Sequence, residues 1–167
     1  MKLYIIRHAI AVEPGTPGYD EDSQRPLTPK GSRKMRKIAR GLKELEAIPD
    51  LILSSPYRRA AETANILADI LKLEGQVFFS EHLAPLGFAD QLIAEINEKY
   101  RTESLALVGH EPSLSSLASL LVSGNAEFAL ELKKGGVCCL DVSDLRPGRC
   151  ATLLWLMTPA QLAALGG

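Results

Sequence analysis

Short apolar runs separated by stretches of helical periodicity are the feature that most restricts how this chain of 167 residues can fold. Leu3-Tyr4-Ile5-Ile6, Leu51-Ile52-Leu53 and Leu105-Ala106-Leu107-Val108 read as buried strands, the kind found where helices cover a parallel sheet. Between them Met35, Ile38, Ala39, Leu42 and Leu45 repeat at helical spacing, and Ala60, Ala64, Leu67 and Leu71 do so again. Strand alternating with helix predicts an α/β fold, a three-layer α/β/α arrangement with a mostly parallel sheet.

In chain order the expected elements begin with a strand Leu3–Arg7 and a polar loop from Glu13 to Arg25 that carries Pro14, Gly15, Pro17 and Gly18. A loop of that length beside a candidate site is usually functional or mobile. A helix from Pro29 to about Glu46 follows, with Thr28 as N-cap and Pro29 in its first turn. The strand Leu51–Ser54 leads into a second helix ending near Leu73-Glu74-Gly75. Gln76–Phe79 is expected as strand, Gln91–Tyr100 as helix, Ser104–Val108 as strand and Pro112–Val122 as helix. Gly136–Val142 and Cys150–Met157, separated by Arg146-Pro147-Gly148, read as a C-terminal antiparallel hairpin. Thr158-Pro159 starts a final helix to Leu165. No repeat or linker divides the chain, so residues 1–167 are expected to form one domain.

Composition excludes several classes of function. With 19 basic and 20 acidic side chains the formal net charge is −1, too even to hold nucleic acid or an acidic membrane through a global field. The apolar part of the N-terminus is too short for a signal peptide and no run reaches a transmembrane length, which predicts a cytoplasmic protein. Cys138, Cys139 and Cys150 are odd in number and read as reduced thiols, and adjacent Cys138 and Cys139 in a strand point to opposite faces. No arginine stands six positions after any cysteine, so a cysteine-phosphatase loop is absent. With only three histidines a metal cluster lacks partners, and neither a metal nor another cofactor is expected. A Gly-rich phosphate loop and a Gly-x-Ser-x-Gly elbow are also missing. The basic run Lys30, Arg33, Lys34, Arg36, Lys37, Arg40 and Lys43 reads first as a solvated helix face and second as a surface for an acidic partner.

What remains is concentrated at strand ends. A parallel sheet gathers Arg7-His8, Ser55-Pro56-Tyr57-Arg58-Arg59 and Gly109-His110 at one edge, where α/β folds carry their chemistry. A neutral imidazole can attack phosphorus and form an N-phosphoryl intermediate that water then hydrolyses, a role open to His8. The transferred oxygens need cations that keep their charge, available as Arg7, Arg25 and Arg59. His110 could donate to those oxygens when protonated, with backbone N–H groups from the helix start at Pro112. Activity is then expected to fall at low pH as His8 protonates and at high pH as His110 loses its proton.

The ordered set of Arg-His after the first strand, Ser-Pro-x-x-Arg-Ala-x-x-Thr after the second and Gly-His after the fourth resembles the histidine phosphatase superfamily, also called phosphoglycerate mutase-like. The likeness spans essentially the whole chain, and with the segment Arg25-Pro26-Leu27-Thr28-Pro29-Lys30-Gly31 it is most similar to the small branch, the SixA-type phosphohistidine phosphatases. It implies His8 as the phosphorylated nucleophile, Arg7 and Arg59 as phosphate ligands, His110 completing the pocket and Arg25 as a further phosphate contact. The register selects Arg59 over its neighbour Arg58. Two departures stand out: Ala9 replaces the usual glycine after Arg-His, and Pro85 stands where larger members place a general-acid glutamate.

A phosphorylated imidazole leaves as neutral histidine after protonation near its usual pKa of ~6.5, so a P–N bond needs less help than an ester. Glu81, His82 and the Asp20-Glu21-Asp22 run are the substitutes for the absent acid, each reading first as a solvated loop residue. Short connections also leave little room for a cap over the pocket. Both features point to phosphohistidine on a signalling protein as substrate. The rivals are a small-molecule phosphomonoesterase or mutase of the same superfamily and a non-catalytic phosphohistidine-binding adaptor. The identity of the partner protein and the oligomeric state stay open.

Overall fold

The computed structural model describes residues 1–167. Six strands form one sheet in the order β3-β2-β4-β1-β5-β6. They are β1 Lys2–Arg7, β2 Leu51–Ser54, β3 Val77–Phe79, β4 Ser104–Gly109, β5 Val137–Val142 and β6 Ala151–Met157. The first four are mutually parallel, while β5 runs antiparallel to β1 and β6 antiparallel to β5, so the hairpin extends the parallel core. The expected three-layer architecture with a C-terminal hairpin is present. No helix is long and apolar enough to cross a membrane.

Alternation along β1 builds the two layers. Tyr4 and Ile6 face α1 (Pro29–Glu44), α2 (Arg58–Leu71) and α5 (Pro159–Leu165), whereas Leu3 and Ile5 face α3 (Ala89–Lys99) and α4 (Ser113–Ser123). Cys138 and Cys139 fall into opposite layers and are both free, as the period-two argument requires. α1 buries Met35, Ile38, Ala39 and Leu42 and turns its basic side chains outward. Thr28 caps it by accepting from Gly31 N at 2.9 Å. The helix ends at Glu44, two residues before the expected Glu46, because Glu46 takes a left-handed conformation with φ 55°. The second helix stops at Leu71 for the same reason, with Lys72 at φ 63°.

Two features of the loops escaped the periodicity. Short 3-10 turns form at Asp22–Gln24 and Glu81–Leu83, and both lie beside the carboxyl edge of the sheet. The polar segment from residue 13 to residue 25 is an excursion closed at its base by a bridge between Ala11 and Leu27 and by Val12 N donating to Pro26 O at 2.9 Å. Glu62 on α2 adds a tie by accepting from Leu27 N at 2.7 Å.

Close approach of α1 to α5 depends on Gly41, where an added Cβ would lie 2.0 Å from the carbonyl oxygen of Leu162. Alanine normally stabilises a helix interior by about 1 kcal/mol over glycine, but overpacking against backbone costs about 1–3 kcal/mol. Gly41→Ala is therefore expected to lower stability by up to about 2 kcal/mol in urea unfolding; a raised midpoint would show that α5 yields freely.

Candidate active site

The register of β1 on β4 pairs Arg7 with Gly109, and that of β2 on β4 pairs Ser54 with Val108, so all three strands stop at one level. The residues just past those ends are His8, Ser55 and His110. Backbone bonds continue the ladder for one more step, from His8 N to Gly109 O at 3.0 Å and from Ser55 N to Val108 O at 2.9 Å. The imidazole rings of His8 and His110 are brought to a centroid distance of 5.1 Å. Around them is a cavity of about 290 Å³ whose wall is charged and polar apart from Pro14 and Pro85. Arg7, Arg25, Arg59 and Lys134 supply positive charge to it, and Glu13, Asp22 and Glu111 supply negative charge. All five site residues expected from the sequence, Arg7, His8, Arg25, Arg59 and His110, line this cavity.

His8 Nδ1 sits 2.7 Å from Ala9 O, so the neutral ring carries its proton on Nδ1 and presents a lone pair at Nε2. Ala9 N donates to Thr63 Oγ1 at 3.1 Å, and no positive φ is recorded at residue 9, so alanine is accommodated without strain. Arg59, second residue of α2 and almost fully buried, donates through Nε to His8 Nε2 at 3.3 Å. Its other two nitrogens donate to Asp22 O and Asp22 Oδ2 at 2.8 and 2.9 Å. Arg25 is also held by Asp22, through Nε at 2.8 Å, and donates to Val12 O. Arg58 points away to Glu62 at 2.8 Å, outside the cavity.

Only two buried side-chain nitrogens or oxygens in the chain lack a hydrogen-bond partner, Arg7 Nε and His110 Nδ1. Both belong to the wall of this cavity. A buried donor without a partner costs roughly 1–3 kcal/mol, so two in one pocket mark a place prepared for acceptor oxygens. His110 Nε2 lies 2.9 Å from Ser55 Oγ. When Ser55 donates its hydroxyl proton there, the ring proton sits on Nδ1, and a phosphoryl oxygen accepting from Nδ1 selects that tautomer.

Electrostatics correct two expectations. Burial, reinforced by Arg59 and Arg7 and opposed by the bond to Ala9, pushes His8 down to about 3. Burial, then His8 and Arg59, push His110 to about 3 as well. His110 is thus already neutral at pH 7 and can offer only a neutral N–H, so loss of an imidazolium proton there does not occur at high pH in the free protein. The start of the fourth helix does not offer a free set of backbone donors either. Pro112 has no N–H, Leu114 N donates to His110 O at 3.0 Å, and Ser115 N donates to Glu111 Oε1 at 2.9 Å.

Among the substitutes for a general acid, Glu81 and His82 lie outside the cavity while Asp22 lies in it, and Pro85 forms part of its wall. Burial opposes ionisation of Asp22, but hydrogen bonds from Arg25 and Arg59 outweigh it and hold the carboxyl below its usual range. Asp22 is therefore an anion that competes for the guanidinium groups. Lys134, Glu13 and Glu111 line the cavity without having been singled out as site residues, and Lys134 comes 3.7 Å from Glu13. The strand-end motif pointed to none of the three. Lys134 belongs to the stretch before β5 that supports Arg7, where Arg7 Nη1 donates to Leu132 O at 3.0 Å and Gly135 N to Arg7 O at 3.1 Å.

Two measurements test this electrostatic picture. Imidazole nitrogen shifts of His8 and His110 are expected to stay those of neutral rings from pH 8 to pH 5, and a titration of either near ~6.5 would contradict it. Above that value the rings are neutral in folded and unfolded chains alike. Below it the unfolded chain takes up protons that the folded one refuses, so stability declines as pH falls toward 3. Asp22→Asn removes a competing carboxylate and is expected to bind inorganic phosphate roughly three- to tenfold tighter by calorimetry; weaker binding would mean that Asp22 assists the anion.

Comparison with known proteins gives a consistent family. A family model described as histidine phosphatase superfamily (branch 1) matches residues 3–84. An uncharacterized protein of Picosynechococcus sp. is 39% identical over 140 residues, 82% of each chain. The phosphohistidine phosphatase SixA of Escherichia coli K12 is 27% identical over 165 residues, 97% of this chain and 96% of that one. The solved structure of the protein histidine phosphatase SixA complexed with tungstate superposes with a TM-score of 0.81 at 27% identity, covering 97% of this chain and 99% of that chain. With the phosphoglycerate mutase-like sheet already described, the chain belongs to the histidine phosphatase superfamily, in its SixA-like branch.

Proposed function

We propose that this chain, a phosphatase by family, hydrolyses phosphohistidine on a protein through a phosphoryl group carried transiently by His8. The observation that supports this most is the pair of unpartnered buried donors, Arg7 Nε and His110 Nδ1, beside an imidazole whose Nε2 lone pair accepts only one long bond, from Arg59 Nε. In the first step His8 Nε2 attacks phosphorus in line with the leaving nitrogen. The P–N bond to the substrate imidazole breaks as a new P–N bond to His8 forms. Phosphoryl oxygens accept from Arg7, His110 and Arg59, which lets go of Asp22 and of His8 Nε2 as it takes the anion. The leaving imidazole gains a proton from solvent near its ordinary pKa of ~6.5. Water then attacks phosphorus, releases inorganic phosphate and returns neutral His8.

The substrate class rests on two further features. Pro85 forms the wall where an acid would face the leaving group, and Asp22 is held ionised by Arg25 and Arg59. The connection from β3 to α3, residues 80–88, holds one 3-10 turn and no inserted cap. An alcohol leaving group would lack its proton donor, whereas an imidazole does not require one of that strength. The E. coli relative named a phosphohistidine phosphatase supports the same reading.

Phosphate release without added metal is the test, using a phosphohistidine protein beside phosphoserine and a small phosphate ester. Turnover confined to phosphohistidine, with an acid-labile phosphoryl group trapped on His8 and both lost in His8→Ala, is expected. Faster turnover of the small ester would transfer the chain to metabolite chemistry, and full activity in His8→Ala would remove His8 as nucleophile.

A further inference from the structure

A second cavity, of about 250 Å³, opens beside the phosphate pocket and has the opposite character. Eight of its thirteen lining residues are apolar, among them Leu83, Phe88, Leu92, Leu117, Leu120 and Ala126. The two cavities share a partition. Pro85 and Glu111 face the phosphate side, while Ser113 and Pro112 face the apolar side. Ser113 Oγ donates to Pro85 O at 3.4 Å, joining the two halves of that partition. The rim is apolar too, with Leu86 89% and Phe88 66% exposed.

The cavity is a built feature and not a gap between mobile loops. Gly87 packs so closely that a Cβ there would lie 2.0 Å from His82 O, and Gly87 N donates to Ala84 O at 2.9 Å. Ser80, at the start of this loop, is hydrogen-bonded to Glu95 on α3. Exposed apolar surface of this kind beside a catalytic centre marks a contact with something that itself carries apolar surface. Its volume is below the usual range of small-molecule sites and suits one large side chain.

We propose that this cavity is a specificity pocket for an aliphatic or aromatic side chain near the phosphohistidine on the same substrate protein. The inference rests on the phosphohistidine reading above. Continuity decides the occupant. A phosphoryl group seated at His8 places the flanking residues of its own chain over the Pro85 and Pro112 partition, and one apolar side chain reaches the second cavity without a second binding event. The phosphate pocket itself cannot discriminate among proteins, because its wall recognises only oxygens.

Phosphohistidine peptides with leucine scanned through the flanking positions of a serine background test this, with inorganic phosphoramidate as a P–N probe that lacks any apolar group. Leucine at the favoured position is expected to raise kcat/KM roughly tenfold over serine. Ser116→Trp, which fills the cavity from α4, and Phe88→Ser, which opens its rim, are each expected to erase that advantage and leave phosphoramidate turnover unchanged. Equal kcat/KM across the peptides in the wild type, or a leucine advantage that survives both variants, would overturn the pocket and leave the phosphohistidine reading intact. Turnover of phosphoramidate but of no phosphohistidine peptide would overturn that reading and the pocket with it. Peptide kinetics without a leucine preference, together with a change of sedimentation in Ser116→Trp, would assign the cavity to a second copy of the chain and overturn the proposal.

Discussion

The pairing of β1 with β4 is the constraint on which the site depends. Six residue pairs, from Lys2 and Ser104 to Arg7 and Gly109, hold two segments distant in the chain in one parallel register. A slip by one residue would exchange the Tyr4 and Ile6 face with the Leu3 and Ile5 face, sending each set into the wrong helical layer. The same slip would separate His8 from His110. Core packing thus enforces the imidazole geometry, and no interaction between the rings themselves is needed to do so.

On that frame the charge arrangement is close to balanced, and this shapes the chemistry. Four cations and three carboxylates meet around two neutral imidazoles. Asp22 holds both Arg25 and Arg59, which keeps the guanidinium groups ordered in the free protein and pulls the Asp22 carboxyl toward its ionised form. An incoming phosphoryl dianion therefore exchanges one anion for another at Arg59. Only Arg7 Nε and His110 Nδ1 gain partners that they did not have. Affinity for the phosphoryl group is the difference between those two terms, which suits an enzyme that must also release phosphate.

Much of this could be read from residue order alone, and the limits have definite physical causes. His8, Arg59 and His110 are legible because each follows an apolar run that can only be a buried strand, and parallel strands share an edge. Helix stripes located α1 and α2, but not their ends, since the left-handed turns at Glu46 and Lys72 fall on residues with no glycine to announce them. Lys134 and Glu111 enter the cavity from segments whose position is fixed by tertiary contacts, so no local pattern points to them. The neutral state of His110 was also out of reach, because burial and the nearby His8 and Arg59 exist only in the folded chain.

The stretch that supports Arg7 has a bearing on how the protein comes into being. Arg7 Nη1 reaches Leu132 O across 125 positions of sequence, and Gly135 N donates to the carbonyls of Arg7 and His8 at 3.1 and 3.2 Å. During synthesis His8 leaves the ribosome well before the strut that holds its backbone. A growing chain carries His8 through that interval without the geometry of the folded site, which is complete only once the contacts to Leu132 and Gly135 have closed.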